Sequence, residues 1–175
     1  MERLLQDPVL NLVRFCTTTS RPPREDEQND IHYQFVSPEE FQKMVAANTF
    51  FEWTEIYGYS YGSNKETLKA LRAGTRPIIC VLEPEGARKI KAADPEHTTI
   101  ILIEATREDL LGRLKQRHTN EADIKKRIER IDRELRVYPL LADVVVENND
   151  GMLDTAISKV ASWIKNMVQQ KSTDI

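Results

Sequence analysis

The sequence has few cysteines, no excess of basic residues and no long apolar run, and each shortage excludes a class of protein. Two cysteines among 175 residues are too few for a disulfide framework and have no metal-ligand spacing, so we expect buried thiols in a reducing compartment. The 25 basic and 28 acidic residues give a formal charge of −3, which disfavours nucleic-acid and membrane partners. Because no signal peptide or membrane span is visible, a cytoplasmic location is predicted.

Short apolar runs alternate with segments of helical spacing, which predicts an α/β fold. The predicted strands are Leu12–Thr19, His32–Val36, Phe50–Tyr57, Pro77–Glu83, Thr98–Glu104 and Asp143–Glu147. Ile78–Leu82 and Ile100–Ile103 are continuously apolar, as expected for a parallel sheet that helices bury on both faces. Residues 24–73 have polar, tyrosine-rich strands and short helices, so we predict a small lobe inserted into the α/β core and a cleft beside it.

Two predicted helices begin with capping signals. Ser37 precedes Pro38 and is followed three residues later by Glu40, which predicts a serine N-cap. Ser63 stands before Asn64-Lys65-Glu66 in the same way and predicts a second helix, ended by Gly74. Apolar spacing predicts further helices around Leu110–Leu114, Ile124–Leu135 and Leu153–Val168.

Arg21 and Arg24 are separated by two prolines, which hold the backbone extended. Two guanidinium forks on a stiff backbone suit a phosphate dianion, which they can grip bidentately. The hydroxyl-rich run that starts at Thr17 would add neutral donors. An ordinary strand end with solvated arginines is about equally compatible with these residues alone.

Glu52 stands among Phe50, Phe51 and Trp53, where an unpaired buried carboxylate would be costly. Such a carboxylate favours a partner with two adjacent N–H donors, and the Watson–Crick edge of guanine offers that pair. Tyr33 and Tyr61 can donate hydroxyls to a phosphate. The alternative is an aromatic packing cluster with a half-exposed Glu52.

A basic segment runs from Arg113 to Arg136 and suggests phosphate contacts. Helical spacing places Arg113 and Arg117 on one face, and Arg127 and Arg130 on another. Phosphoryl transfer uses such groups because charge spreads over the migrating phosphoryl oxygens. The alternative is a solvated helix face, which we favour for three residues of the run. These three are Lys125, Arg133 and Arg136.

The histidines are not candidate metal ligands. His32 and His97 have no cysteine or acidic partner at ligand spacing, so no metal site is predicted.

Taken together, these motifs resemble the guanylate kinase family from about Leu4 to Met167. The match is carried by five motifs in register. They are Thr18-Thr19-Ser20-Arg21-Pro22-Pro23-Arg24 with His32–Ser37, Phe51-Glu52-Trp53, Tyr61-Gly62-Ser63, Arg117-His118-Thr119 with Ile124–Leu135, and Val144–Asn148. The resemblance implies a P-loop-kinase-like three-layer parallel sheet with helices on both faces. It also implies a mixed α/β GMP-binding lobe at 24–73 and a helical lid at about 113–127.

The resemblance also implies a reaction and the residues that support it. Family members are nucleotide-binding transferases of purine nucleotide metabolism, which move a phosphoryl group from ATP, with Mg²⁺, to GMP and give ADP and GDP. The positions of Arg21, Arg24, Tyr33 and Tyr61 hold the GMP phosphate. Those that read or flank the guanine are Thr17, Glu52, Ser63 and Glu83. Those that act on the ATP phosphates are Arg113, Arg117 and Arg127, and Asn148 falls near the adenine.

This sequence departs from the family pattern at two places. The family usually has two carboxylates, one residue apart, where this chain has Val81 and Glu83. Family members also open with an apolar strand and a phosphate loop that ends in Gly-Lys-Ser/Thr. None of the six glycines in this sequence begins a Gly-x-x-x-x-Gly-Lys run, so the loop that would cradle the ATP phosphates is missing.

These departures leave three functional hypotheses. The first is a guanylate kinase whose sequence lacks its N-terminal strand and loop through truncation or a misplaced start. The second is a non-catalytic guanylate-kinase-like module that binds GMP or a phosphorylated protein partner. The third, a kinase for another phosphorylated small molecule, is weaker because Glu52 and Glu83 suit guanine. We expect measurable GMP binding and negligible phosphoryl transfer by the chain.

Overall fold

The computed structural model describes residues 1–116, 128, 130–132 and 134–173. It contains two compact units, Met1–Ala93 and Asp94–Ile175. Helices alternate with strands in each unit, and each unit contains a pair of parallel strands. The predicted α/β fold with parallel pairing is therefore confirmed. The inserted lobe with bounds 24–73 stays a prediction.

The first unit begins with a short helix and ends with a longer one. In chain order its elements are α1 (Glu2–Leu5), β1 (Val13–Arg14), β2 (Thr18–Thr19), β3 (Gln34–Phe35), α2 (Pro38–Ala46), β4 (Phe50–Ile56), β5 (Tyr59–Asn64), α3 (Lys65–Arg72), β6 (Ile78–Ile79) and α4 (Pro84–Ala93). β1 and β6 form a parallel pair. The other strands form a four-stranded sheet in the order β3-β2-β5-β4.

β4 and β5 form the hairpin at one edge of the four-stranded sheet. Ile56 pairs with Tyr59, which leaves Tyr57 and Gly58 as a two-residue turn. Their φ angles are 54° and 78°, as a type I′ turn requires at both central positions. This turn twists the two strands together and fixes their register.

A bulge in β4 decides which side chains face the packed side of this sheet. The pairing shifts between Phe50, opposite Asn64, and Glu52, opposite Ser63. Phe50 then stacks on the fully buried Phe41 of α2, with ring centroids 4.6 Å apart. Glu52 is free to point into a pocket instead, because an extra residue in a strand re-aims the side chains that follow.

Two predicted strands differ from the observed ones. The run Leu12–Thr19 is divided between two sheets, since β1 pairs with β6 whereas β2 pairs with β3 and β5. The run Pro77–Glu83 forms a strand only at Ile78–Ile79. The physical reason is shared: the chain leaves the parallel ladder after Phe15, whose N–H donates to the Ile79 carbonyl at 2.9 Å.

One predicted cap is confirmed and the other is wrong by one residue. Ser37 caps α2 and accepts from the Glu40 N–H at 3.1 Å. The cap of α3 is Asn64, which accepts from the N–H groups of Glu66 and Thr67. The preceding serine, Ser63, belongs to β5, and its hydroxyl donates to Glu52 instead of to a helix start.

The second unit is built around one parallel pair of strands. Its elements are β7 (Ile101–Glu104), α5 (Arg107–Gln116), a 3₁₀ helix (Tyr138–Leu141), β8 (Val144–Glu147) and α6 (Leu153–Thr173). Residues 128, 130–132 and 134–137 are also helical. The core of the unit contains Leu114, Ile131, Val146 and Val160.

Two side chains of this strand pair are more exposed than burial on both faces would leave them. Ile103 is 49% exposed and Val145 is 42% exposed. β7 and β8 form a two-stranded sheet in the described part of the chain, so each strand is covered on fewer sides than a central strand would be. Within the same described ranges, no helix is long and apolar enough to cross a membrane.

Candidate functional site

The first unit contains a pocket of about 330 Å³, a volume that includes its open mouth. Its lining combines polar side chains from the four-stranded sheet with the segment after β6. The lining residues are Thr17, Tyr33, Glu52, Thr54, Tyr61, Gly62, Val81, Leu82 and Glu83. Five of the residues predicted to contact GMP therefore line one pocket.

Glu52 is the buried charge of this pocket. It is 7% exposed, and Ser63 Oγ donates to its Oε1 at 2.6 Å. A carboxylate has about four acceptor positions, so this bond leaves capacity for a ligand with N–H donors. Ser63 does not line the pocket. It orients the carboxylate that does.

Cys80 lies within the electrostatic reach of this carboxylate. Burial raises the pKa of the Cys80 thiol to about 11, and the negative charge of Glu52 adds to the effect. The thiol is therefore protonated at neutral pH and behaves as a small apolar side chain.

Arg21 is fixed in the same unit by an acidic partner, Glu27. Arg21 Nη2 donates to both carboxylate oxygens of Glu27 at 2.8 Å, and Nη1 donates to the Pro22 carbonyl at 2.7 Å. The guanidinium also lies over the rings of Tyr33 and Phe35, 5.6 and 5.7 Å from their centroids. These contacts fix the position of the guanidinium.

The contact between Arg21 and Glu27 raises the pKa of Arg21 and lowers the pKa of Glu27, so the charged form of each group is favoured. Burial alone would lower the pKa of Arg21, but the bonds and charge of Glu27 outweigh it and raise the pKa. Burial alone would raise the pKa of Glu27, but the Arg24 N–H and the Arg21 guanidinium outweigh it and lower the pKa. Both groups are therefore charged at neutral pH.

Arg24 and the two tyrosines complete the predicted phosphate clamp. The Arg24 N–H donates to Glu27 at 2.8 Å, while the side chain of Arg24 is largely exposed. Tyr33 and Tyr61 lie edge to face, with centroids 6.3 Å apart. Burial, and then the neighbouring Tyr61, raises the pKa of Tyr33. Its hydroxyl thus remains a donor at neutral pH.

Two of the predicted residues in the second unit are described by the structure, Arg113 and Asn148. Arg113 Nη2 donates to the Asn148 carbonyl at 2.6 Å and to Asp150 Oδ1 at 3.0 Å. Asn148 follows β8, and its N–H donates to the Glu104 carbonyl at 2.7 Å. The structure thus brings Arg113 and Asn148 together. The other two predicted arginines, Arg117 and Arg127, lie outside the described residues, as does most of the predicted lid at 113–127.

Sequence reasoning missed two residues that contact predicted site side chains: Glu27, which binds Arg21, and Gly86, which lies against Glu52. Glu27 is one of three consecutive acidic residues after Arg24, and only its distance to Arg21 distinguishes it from the others. Gly86 is the second, because its backbone lies against the Glu52 carboxylate. A glycine three residues after the predicted strand Pro77–Glu83 was the one available signal.

No group of three or more histidine, cysteine or acidic side chains is placed to hold a metal ion among the described residues.

Comparison with solved structures identifies the fold. Guanylate kinase from Anaplasma phagocytophilum matches with a TM-score of 0.68, over 97% of this chain and 81% of that chain, at 23% identity. The fold is therefore of the P-loop-kinase-like α/β class, which the family resemblance implied.

Sequence comparisons then identify the family. The guanylate kinase family model matches residues 2–167. The guanylate kinase of Porphyromonas gingivalis is 33% identical over 171 residues, 96% of this chain and 89% of that protein. That of Neisseria gonorrhoeae is 36% identical over 133 residues, 75% of this chain and 64% of the relative's length. The chain belongs to the guanylate kinase family.

Proposed function

We propose that the pocket of the first unit binds GMP, as the family reaction requires. The observation that carries this proposal is the buried Glu52 carboxylate, held by Ser63 at one side of a pocket that Tyr33 and Tyr61 also line. Guanine offers adjacent N1–H and 2-amino donors, so a fixed carboxylate can accept from both. Adenine offers no such pair, and would leave the carboxylate desolvated without compensation.

The phosphate end of the ligand would meet Arg21, Arg24, Tyr33 and Tyr61. Arg21, Arg24 and Glu27 together carry one net positive charge. The hydroxyls of the two tyrosines add neutral hydrogen-bond donors. Because Glu27 holds Arg21 in place, little conformational entropy is lost when the phosphate binds. Thr17 and Glu83 line the same pocket and would flank the base.

The transferred group would come from ATP with Mg²⁺ as co-substrates, and Arg113, Arg117 and Arg127 would stabilise the charge on the migrating phosphoryl group. Asn148 would lie on the adenine side. These roles follow the family pattern residue by residue, and Arg113 is the described member of the set. GDP and ADP would be the products, and a cytoplasmic location stays a prediction.

Calorimetric titration of the folded protein with GMP tests the proposal. Glu52→Gln and Arg21→Ala should each weaken GMP binding by about 1–3 kcal/mol. Glu52→Gln should also reduce the preference for GMP over AMP, because the amide turns an N–H donor toward the base. Glu55→Gln is the matched control, since it makes the same change on an exposed residue of β4.

Folded wild-type protein that gives no GMP binding at millimolar concentration would reject the nucleotide site. Equal losses from Glu52→Gln and Glu55→Gln would also reject it, because they would show that the charge acts at long range and not as a base reader.

One observation favours a second candidate, a non-catalytic module that binds GMP or a phosphorylated protein partner. The apolar Val81 stands in the pocket lining, 55% exposed, where the family usually has a carboxylate. GMP binding without phosphoryl transfer from ATP would support the non-catalytic module. Phosphoryl transfer at an ordinary rate would reject this candidate.

A further inference from the structure

Gly86 is a helical residue whose backbone does not need glycine. It lies in the first turn of α4, and the positive φ angles among the glycines occur at Gly58 and Gly151. A glycine inside a helix costs about 1 kcal/mol relative to alanine. What this position requires is therefore space, and not backbone freedom.

The space at Gly86 is taken by the carboxylate of Glu52. A β-carbon on Gly86 would lie 2.8 Å from Glu52 Oε2, 2.9 Å from Cδ and 3.0 Å from Oε1. These three nearly equal distances show that the flat carboxylate group lies over the α-carbon of Gly86. A methyl group cannot share that position, so an alanine would push the carboxylate away.

Glu52 cannot move aside without losing contacts. Its Oε1 accepts from Ser63 Oγ at 2.6 Å, and the side chain is 7% exposed. It also lies against the first turn of α4, where the positive end of the helix dipole favours a carboxylate. Displacement would lengthen the Ser63 bond and move the carboxylate away from the helix start.

We propose that Gly86 is a positioning residue that determines base specificity in this pocket. Because Gly86 has no side chain, the Glu52 carboxylate can lie against the first turn of α4. In that position both of its oxygens can accept from the N1–H and 2-amino groups of guanine. The inference rests on the proposed function, the binding of GMP in this pocket. The inference adds that the preference for guanine over other purines depends on Gly86, although Gly86 itself needs no contact with the ligand.

The test compares Gly86→Ala with wild type for binding of GMP and of IMP, which keeps the phosphate and N1–H but lacks the 2-amino group. Gly86→Ala should bind GMP about ten- to a hundredfold more weakly, as expected when a hydrogen bond to a charged group is lost. The ratio of GMP to IMP affinity should fall toward one. A merely structural role would weaken both nucleotides alike and leave the ratio unchanged.

Gly112→Ala is the matched control. Gly112 is also helical, in α5, and a β-carbon there would meet nothing within 4 Å. Both substitutions gain the same helix propensity, so Gly112→Ala should raise the melting temperature and leave both affinities unchanged.

The outcomes separate this inference from the proposed function. Wild type that does not bind GMP overturns both. Wild type that binds GMP, together with Gly86→Ala that keeps the affinity and the GMP-to-IMP ratio, overturns the role of Gly86 alone. Should Gly86→Ala unfold, the double variant Glu52→Asp, Gly86→Ala decides, since its carboxylate is one methylene shorter. Recovery of folding and of the preference for GMP supports the proposal, and absence of recovery overturns it.

Discussion

Glu27 shows at the scale of a single residue how a carboxylate can fix an arginine of the proposed phosphate site. It neutralises one of two arginines, yet it also fixes Arg21 against Tyr33 and Phe35. A free arginine would lose more rotamer freedom on binding a phosphate. Glu27 thus reduces the positive charge near Arg21, and it also fixes the position of the Arg21 guanidinium.

The lowered pKa of Glu27 gives a test in the acid range. Because its folded pKa lies below the ordinary value of 4.5, Glu27 stabilises the fold above that value. The contribution is lost as the pH falls through the folded pKa. Glu27→Gln should therefore lower the free energy of unfolding by roughly 1–3 kcal/mol at pH 7, and the difference from wild type should shrink toward pH 3.

Urea unfolding between pH 3 and pH 7 measures this difference. Glu25→Gln serves as its control, because Glu25 is an exposed acidic neighbour in the same loop. An equal pH dependence in wild type and Glu27→Gln would contradict a stabilising role of the ion pair.

At the scale of elements, the last residue of β5 in the β4–β5 hairpin is also the N-cap of α3. β5 runs directly into α3, so a single residue, Asn64, pairs with Phe50 in the sheet and caps the helix. The preceding residue, Ser63, orients Glu52. The cap and the proposed base reader, Glu52, thus depend on the same register, which the bulge in β4 sets.

Removal of the cap should destabilise α3 without changing the pocket chemistry. Asn64→Ala should lower the free energy of unfolding by about 1 kcal/mol, because the Glu66 and Thr67 N–H groups lose their acceptor. Asn64→Asp keeps a side-chain acceptor and should restore most of this loss. Thermal and urea unfolding measure both, and an Asn64→Ala variant as stable as wild type would show that the cap contributes nothing.

At the scale of the whole molecule, binding and turnover are separate questions. Residues predicted to bind GMP line a pocket within the first unit, whereas phosphoryl transfer depends almost entirely on positioning and charge stabilisation around the ATP phosphates. The sequence contains the first set and lacks a Gly-x-x-x-x-Gly-Lys run for the second.

We therefore expect the 175-residue polypeptide to bind GMP and to transfer phosphate from ATP at a negligible rate. A coupled assay of ADP formation, at saturating GMP and Mg²⁺-ATP, measures the rate. A wild-type guanylate kinase of the same family serves as the positive control. Ordinary turnover would contradict this expectation and would require another element of the chain to take the place of the loop.

Much of the fold followed from local patterns in the sequence. The Ser37 cap, the strand at Phe50–Ile56, α5 and the parallel pairing of apolar strands were predicted, because each depends on neighbouring residues or on strand periodicity. The division of residues 12–19 between two sheets was not predicted, because the choice of strand partner depends on distant segments. The exposure of Ile103 and Val145 was missed for the same reason.

The sequence by itself determined the family, the candidate base reader Glu52 and the arginine pair, because these are specified by residue type and spacing along the chain. Only the tertiary structure decided that Glu27 holds Arg21, that Ser63 orients Glu52 instead of capping a helix, and that Gly86 makes room for the carboxylate. These contacts join segments that the chain brings together only on folding, and no local pattern encodes which of several acidic residues or glycines will be placed there.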